Sequence, residues 1–207
     1  MRKITKGPEP EQLIRWKRAN TTSRYQDLSG EERVTLRTAC IAEQFSLCAY
    51  CCQTIAVDDS HNEHVEAQDK APNRTLEFTN IVASCQRQNQ CGHHRGTRPL
   101  DLTPLMEECE SELKFYLSGR VTGKTERANS ALEILNLGHT AESNRGLIGA
   151  RKQLVDQLIF TGGMQPDDLE DEELLGILLD DMLTPKNGQL AAFSPVLVNV
   201  IRQLLPR

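Results

Sequence analysis

The 49 residues from Cys48 to Gly96 hold four of the chain's five histidines and five of its seven cysteines. Metal-ligand residue types crowded into one window mean that a metal holds the segment, does chemistry in it, or both. Cys48 and Cys51 form a C-x2-C knuckle, and Cys85 and Cys91 a longer C-x5-C pair. Four thiolates from two such turns can close a tetrahedral structural zinc and tie the ends of a loop of roughly thirty residues. Cys52 adjoins the first knuckle and is the alternative to Cys51. The polar stretch Gln86–Gln90 is expected to loop out between the second pair.

A second constellation lies between and just beyond the knuckles. Glu63-His64 begins a polar segment, Thr79-Asn80-Ile81-Val82 leads into Cys85, and His93-His94-Arg95-Gly96 follows Cys91. This order resembles the HNH (ββα-metal) endonucleases. Met1–Pro10, the phrase from Thr79 to Cys85, Cys91-Gly-His93, and Ile134-Leu-Asn-Leu137 followed by Arg145 look like the PtuB-type HNH nucleases of Septu and retron anti-phage systems. The resemblance extends over most of the chain to about residue 155. It departs from the pattern at Glu66, where the family often has Pro two residues after the base, and in the five-residue spacing of the second knuckle.

Phosphodiester hydrolysis asks for these residue types. A base must activate water, a Lewis acid must act on the scissile phosphate, and charge must be stabilised in the transition state. His64 is the expected general base, because an ordinary imidazole is largely neutral at pH 7. Glu63 and His93 are the expected ligands of a catalytic divalent ion, with His94 the alternative to His93. A mixed Glu/His set with water suits Mg, Mn or Ni better than a closed zinc cage. By the resemblance, Asn80 orients His64 through the backbone of its loop. Arg95 and Arg74 are expected to contact phosphate, as are Lys17 and Arg18 on an N-terminal helix. His61 reads as a bland neighbour, with lining the site as the alternative; Asp58 and Asp59 read as a turn, with a ligand role as the alternative; and His139 reads as structural.

Charge is divided unevenly. The net charge of the chain is -5, but residues 1–100 carry 14 Lys and Arg against 12 Asp and Glu, while residues 101–207 carry 10 against 17. A nucleic-acid face therefore belongs to the N-terminal half, and the acidic half suits a protein partner or solvent. No run approaches the roughly 20 apolar residues of a membrane span. Met1-Arg-Lys is not followed by an apolar segment of the kind a secretory signal needs. Seven cysteines without such a signal point to a reducing compartment, taken as cytoplasmic, and to thiolate ligands in place of disulfides.

Local signals place the helices. Pro10 or Glu11 opens a helix to Ala19. Ser29-x-x-Glu32 is a capping box that opens a helix to about Phe45. Strands are expected near Glu63–Val65 and Ile81–Ala83, with a helix from about Cys91. Thr103-Pro104 reads as a cap that sets Leu105, Cys109 and Leu113 on one helical stripe. Phe115–Gly119 reads as a short strand and turn, and Ala128–Leu135 as helix. Asn144 opens a helix that runs to about Phe160 and stops at Gly162-Gly163. An acidic helix follows from Asp168 to Leu183; its run Asp167–Glu173 reads as charge set against a helix dipole, not as a metal site. A last helix begins at Ser194-Pro195, runs to Leu205, and is apolar enough to dock on the domain or a partner.

The expectation is a mostly helical α+β protein in three parts: an N-terminal helical segment (1–47), an HNH core (48–100) and an acidic helical region (101–207). The resemblance implies a nuclease effector of anti-phage defence that cuts DNA or RNA, tRNA included. It also implies a PtuA-type ATPase as partner and, in retron versions, a reverse transcriptase with its DNA–RNA product. The competing reading is a non-catalytic module in which zinc only holds a fold that binds the ATPase.

Overall fold

The computed structural model describes residues 1–158 and 170–205. The chain is α+β. Among the described residues, seven helices surround two small antiparallel sheets. Helix α1 (Glu11–Ala19) packs on α2 (Gly30–Glu43) through buried Leu13. Helix α2 starts where its capping box requires. Ser29 Oγ accepts from the Glu31 amide at 3.2 Å, and Glu32 Oε2 accepts from the Ser29 amide at 2.8 Å, which satisfies otherwise orphaned donors.

The inner face of α2 presents Leu36 and Cys40 to a hairpin of β1 (Ser60–His64) and β2 (Ile81–Cys85). The register pairs Ser60 with Cys85, Glu63 with Val82 and His64 with Ile81. All of β2 is buried, so its outer edge needs partners. Gln44 supplies them at Ala83, accepting from its amide at 2.7 Å and donating to its carbonyl at 2.9 Å. The short helix α3 (Cys91–Arg95) then lies against β2, completing a ββα unit.

Beyond it, β3 (Leu113–Phe115) pairs with β4 (Val121–Gly123), and α4 (Glu126–Ile134) covers β4. Helix α5 (Arg145–Asp156) opens at Asn144, whose Oδ1 accepts from the Leu147 amide. Helices α6 (Glu172–Leu183) and α7 (Ser194–Ile201) pack on each other. Asn199 of α7 bonds the Phe115 amide at 2.9 Å and the Leu113 carbonyl at 3.0 Å, so the terminal helix docks on the edge of β3. The ends expected at Phe160 and Gly162-Gly163, and the start at Asp168, lie outside the described residues.

One expected helix is absent. Residues after Thr103-Pro104 form a single 3-10 turn at Glu107–Cys109, and Leu113 begins β3. The N-terminal segment engages this stretch. The Ile4 amide takes the Pro104 carbonyl at 2.7 Å, and the Lys3 amide takes Glu110 Oε1 at 2.7 Å. The N-terminal segment thus competes with a local helix for the Pro104 carbonyl and for Glu110.

One continuous apolar core runs from Met1 through the cysteines to Val200, so the three parts of the sequence share it. No helix among the described residues is long and apolar enough to cross a membrane.

Candidate active site and metal centre

Cys48, Cys51, Cys85 and Cys91 are all buried, and their sulfurs lie within 4.8 Å of one another. Cys48 and Cys91 Sγ are 3.8 Å apart, and Cys51 and Cys85 Sγ 4.0 Å. Four sulfurs at the usual ~2.3 Å from a tetrahedral zinc stand about 3.8 Å apart, so the cluster has the size and donor type to hold such an ion. Outer contacts suit thiolates too. The Cys85 amide points at Cys48 Sγ at 3.4 Å, and Gln90 Nε2 reaches Cys85 Sγ at 3.6 Å. Hydrogen bonds from the surrounding thiols hold Cys85 far below the usual thiol value, while burial pushes Cys91 well up. Four thiols packed this way cannot all ionise beside one another without a cation.

The two sequence alternatives here are resolved. Cys52 is buried but adopts φ 64°, stands outside the cluster, and gives its carbonyl to the Phe193 amide. The stretch before Cys91 only partly loops out. Gln86 to Asn89 are exposed, whereas Gln90 is 5% exposed and also bonds Gln53 and Asn144. That inward glutamine closes the wide C-x5-C turn.

The zinc-type cluster fixes the hairpin and α3, and these carry the remaining site residues. A strand alternates its side chains, so His61 and Glu63 share one side of β1 and Asn62 and His64 the other. On the first side, Glu63 Oε2 faces His61 Nε2 at 3.4 Å, and the His61 and His93 rings are 4.5 Å apart. Gly92 makes this approach possible. A Cβ there would stand 2.8 Å from His61 Nε2 and closer still to Glu63 Oε2. Burial, reinforced by His61, holds His93 below the usual imidazole value. His94 turns away, with Nδ1 on the Ile134 carbonyl at 2.9 Å. His93, packed on the His61 ring, is therefore the histidine on the Glu63 side of the hairpin.

On the second side, His64 is 7% exposed. Its Nε2 meets the Thr75 carbonyl at 2.9 Å, and Tyr25 stands edge-on to its ring with centroids 4.7 Å apart. Its Nδ1 has no hydrogen bond among the described residues and is not sealed in the interior. Burial lowers the His64 pKa against the opposing pull of the Thr75 carbonyl, which keeps the ring neutral.

Asn80 is 1% exposed and binds the loop between the strands. Its Oδ1 accepts from the Glu66 amide at 2.8 Å, and Nδ2 donates to the Glu66 carbonyl at 3.1 Å. Nδ2 also reaches the Arg74 carbonyl at 3.4 Å, next to the Thr75 carbonyl that holds His64.

The expected phosphate-binding residues are differently disposed. Arg95 is 2% exposed, and its donors go to Glu63, to the carbonyls of His64, Val65 and Arg98, and to the Tyr50 hydroxyl. It braces β1 from within and has no face for a phosphate. Arg74 is paired with Glu66 and Glu77, and Lys17 with Glu9. Arg18 alone of the four is exposed with no ion pair among the described residues. Asp59 forms the expected turn, accepting from the Ala56 amide.

The members that sequence reasoning passed over are Gln90 and Tyr25, and it gave His61 only a secondary place. For His61 a signal existed: it lies two residues before Glu63, on one face of any strand there. No protein-family model matches the chain, and neither does any curated protein.

Proposed function

We propose that the chain is a metal-dependent endonuclease of the HNH kind that hydrolyses phosphodiesters of DNA or RNA. The observation that carries this reading is His64, a buried neutral imidazole with Nε2 fixed on the Thr75 carbonyl and Nδ1 free. On the other side of the same strand lie His61 and Glu63, with His93 brought to them from α3, and a four-cysteine cluster ties hairpin and helix down.

A free, neutral Nδ1 is suited to take a proton from water as the water oxygen attacks phosphorus. The phosphorus–O3′ bond breaks, and the 3′-oxygen leaves as a hydroxyl with a proton from solvent. Glu63 and His93 would hold a divalent ion, magnesium or manganese by the resemblance, which supplies Lewis-acid charge at the scissile phosphate. Because His64 and Glu63 alternate along β1, a phosphodiester that meets both has to lie across the His64 end of the strand. Asn80 is a positioning residue that holds the loop against which His64 rests.

We further propose a place in a Septu- or retron-type anti-phage complex, with a PtuA-type ATPase and, in retron versions, a reverse transcriptase with its DNA–RNA product. The paired state of Arg74, Lys17 and Arg95 supports this, since three of the four basic residues expected to meet phosphate are already engaged and a partner can supply the missing hold on the substrate.

The test is cleavage of DNA and of total RNA by zinc-loaded wild type and His64→Ala, each with the ATPase and with Mg2+ or Mn2+. Metal-dependent cutting that the variant loses while it keeps its fold is the expected result. Equal cutting by both removes His64 as base. Failure of wild type to cut under every condition, with retained ATPase binding, favours the non-catalytic module.

A further inference from the structure

We propose that His61 is a third protein ligand of the divalent ion, which makes the site a two-histidine, one-carboxylate set of His61, Glu63 and His93. This inference rests on the nuclease reading for the presence of an ion, but not for the identity of its ligands.

Four features of the structure point to it, with His93 the donor that has to swing in, since no nitrogen of its ring lies within 4.8 Å of both His61 Nε2 and Glu63 Oε2. Strand alternation sends His61 and Glu63 to the same side of β1. His61 Nε2 lies 3.4 Å from Glu63 Oε2, a separation that suits two donors sharing one small cation at ~2.0–2.2 Å each. His93 arrives from α3 with its ring 4.5 Å from that of His61. Gly92, immediately before it, leaves open the space in front of both His61 Nε2 and Glu63 Oε2.

The donors are also available. Glu63 gives Oε1 to Arg95 at 2.8 Å, and Arg95 thereby holds the carboxylate so that Oε2 faces the histidines. His61 Nδ1 is buried without a partner, so Nε2 is the one ring nitrogen with a polar destination. Each donor set has its preferred ions. Oxygen-only sites suit magnesium, whereas imidazole favours first-row transition ions, and two imidazoles with one carboxylate and open positions is a transition-metal arrangement. The site is thus expected to take a transition ion in preference to magnesium.

Manganese is the probe, because it is paramagnetic and does not compete with zinc for thiolates. The full-length, zinc-loaded protein is titrated with Mn2+ and free ion is followed by the amplitude of its solution resonance. Wild type is expected to bind one Mn2+ that a tenfold excess of Mg2+ leaves in place. His61→Gln should weaken binding by at least about tenfold, since even partners that only touch a ligand are worth ~10–100-fold. Zinc content is measured in the same samples as the check on folding.

A second readout needs no variant. The electron spin echo of bound Mn2+ in wild type should carry nitrogen modulation from two imidazoles. Two nitrogens in wild type with weakened binding in His61→Gln supports the proposal. One nitrogen, or unchanged affinity in the variant, overturns it and leaves an ion on Glu63 and His93 intact. No Mn2+ bound by wild type overturns it together with the metal-dependent nuclease reading.

Discussion

Arg95 and Glu63 form an ion pair at 2.8 Å inside the ββα unit, with the arginine side chain 1% exposed and the glutamate 12%. The pair joins α3 to β1 and sets the direction of the carboxylate. Removing one partner from a buried pair leaves the other charge without compensation and costs about 3–5 kcal/mol. Arg95→Ala should lower the unfolding free energy of the zinc-loaded protein by about that amount, read by urea titration. A phosphate-contact role would leave stability nearly unchanged and weaken substrate binding instead, so the two roles separate cleanly.

The four-cysteine cluster leads to a metal-content prediction. Purified protein should contain one zinc per chain. Cys48→Ser and Cys85→Ser should lose it and become insoluble, because a structural zinc contributes on the order of 10–16 kcal/mol to the folded state. Cys52→Ser should keep the full complement, since Cys52 lies outside the cluster. Elemental analysis of the three variants checks this, and zinc retained in Cys85→Ser would remove that residue from the ligand set.

Much of this was legible because the signals are local. The capping box at Ser29 and the cap at Asn144 mark helix starts through side chains that bond their own neighbours. The cysteine spacing marks the cluster because a knuckle is a local turn. The rest depends on distant groups. Where a helix was expected after Pro104, Ile4, a hundred residues away, bonds the Pro104 carbonyl and the chain turns instead. Arg95 reads as a phosphate-binding cation until β1 and the residue after it supply two carbonyls and a carboxylate for it. The separation of His64 from Glu63 follows from strand alternation, a rule of period two. Adjacency in sequence conceals it.

The buried thiols outside the cluster make stability depend on alkaline pH. Burial pushes Cys40 and Cys109 up from 9.0 to about 12. A thiol whose folded value is raised stabilises the fold fully below its unfolded value, and that contribution is lost as pH rises through the folded one. Between about pH 7 and 9 stability should therefore hold, and between about pH 9 and 12 it should fall, a window to which these two thiols contribute together with buried Cys52 and Tyr50 and half-buried Tyr25. Cys40→Ala with Cys109→Ala should flatten the fall, measured by thermal melts across that range. A thiol held protonated is also a poor nucleophile. Iodoacetamide at pH 8 should label neither residue in the native protein.

Asn80 offers the sharpest separation of positioning from folding. Its amide bonds both the amide and the carbonyl of Glu66, so it needs one acceptor and one donor in a fixed sense. Asn80→Asp keeps the shape and the acceptor but sets a carboxylate oxygen against the Glu66 and Arg74 carbonyls. The loop should shift, and with it the Thr75 carbonyl that holds His64 Nε2. Asn80→Ala leaves the Glu66 amide and carbonyl unpaired at a cost of about 1–3 kcal/mol. Both variants should keep zinc. Both should lose most cleavage, because a neutral imidazole that is no longer aimed cannot take the proton on time. The His64 ring resonances report the cause directly: they should move in both Asn80 variants before any loss of global structure. Unmoved resonances with lost cleavage would mean that Asn80 acts on the substrate itself and not through His64.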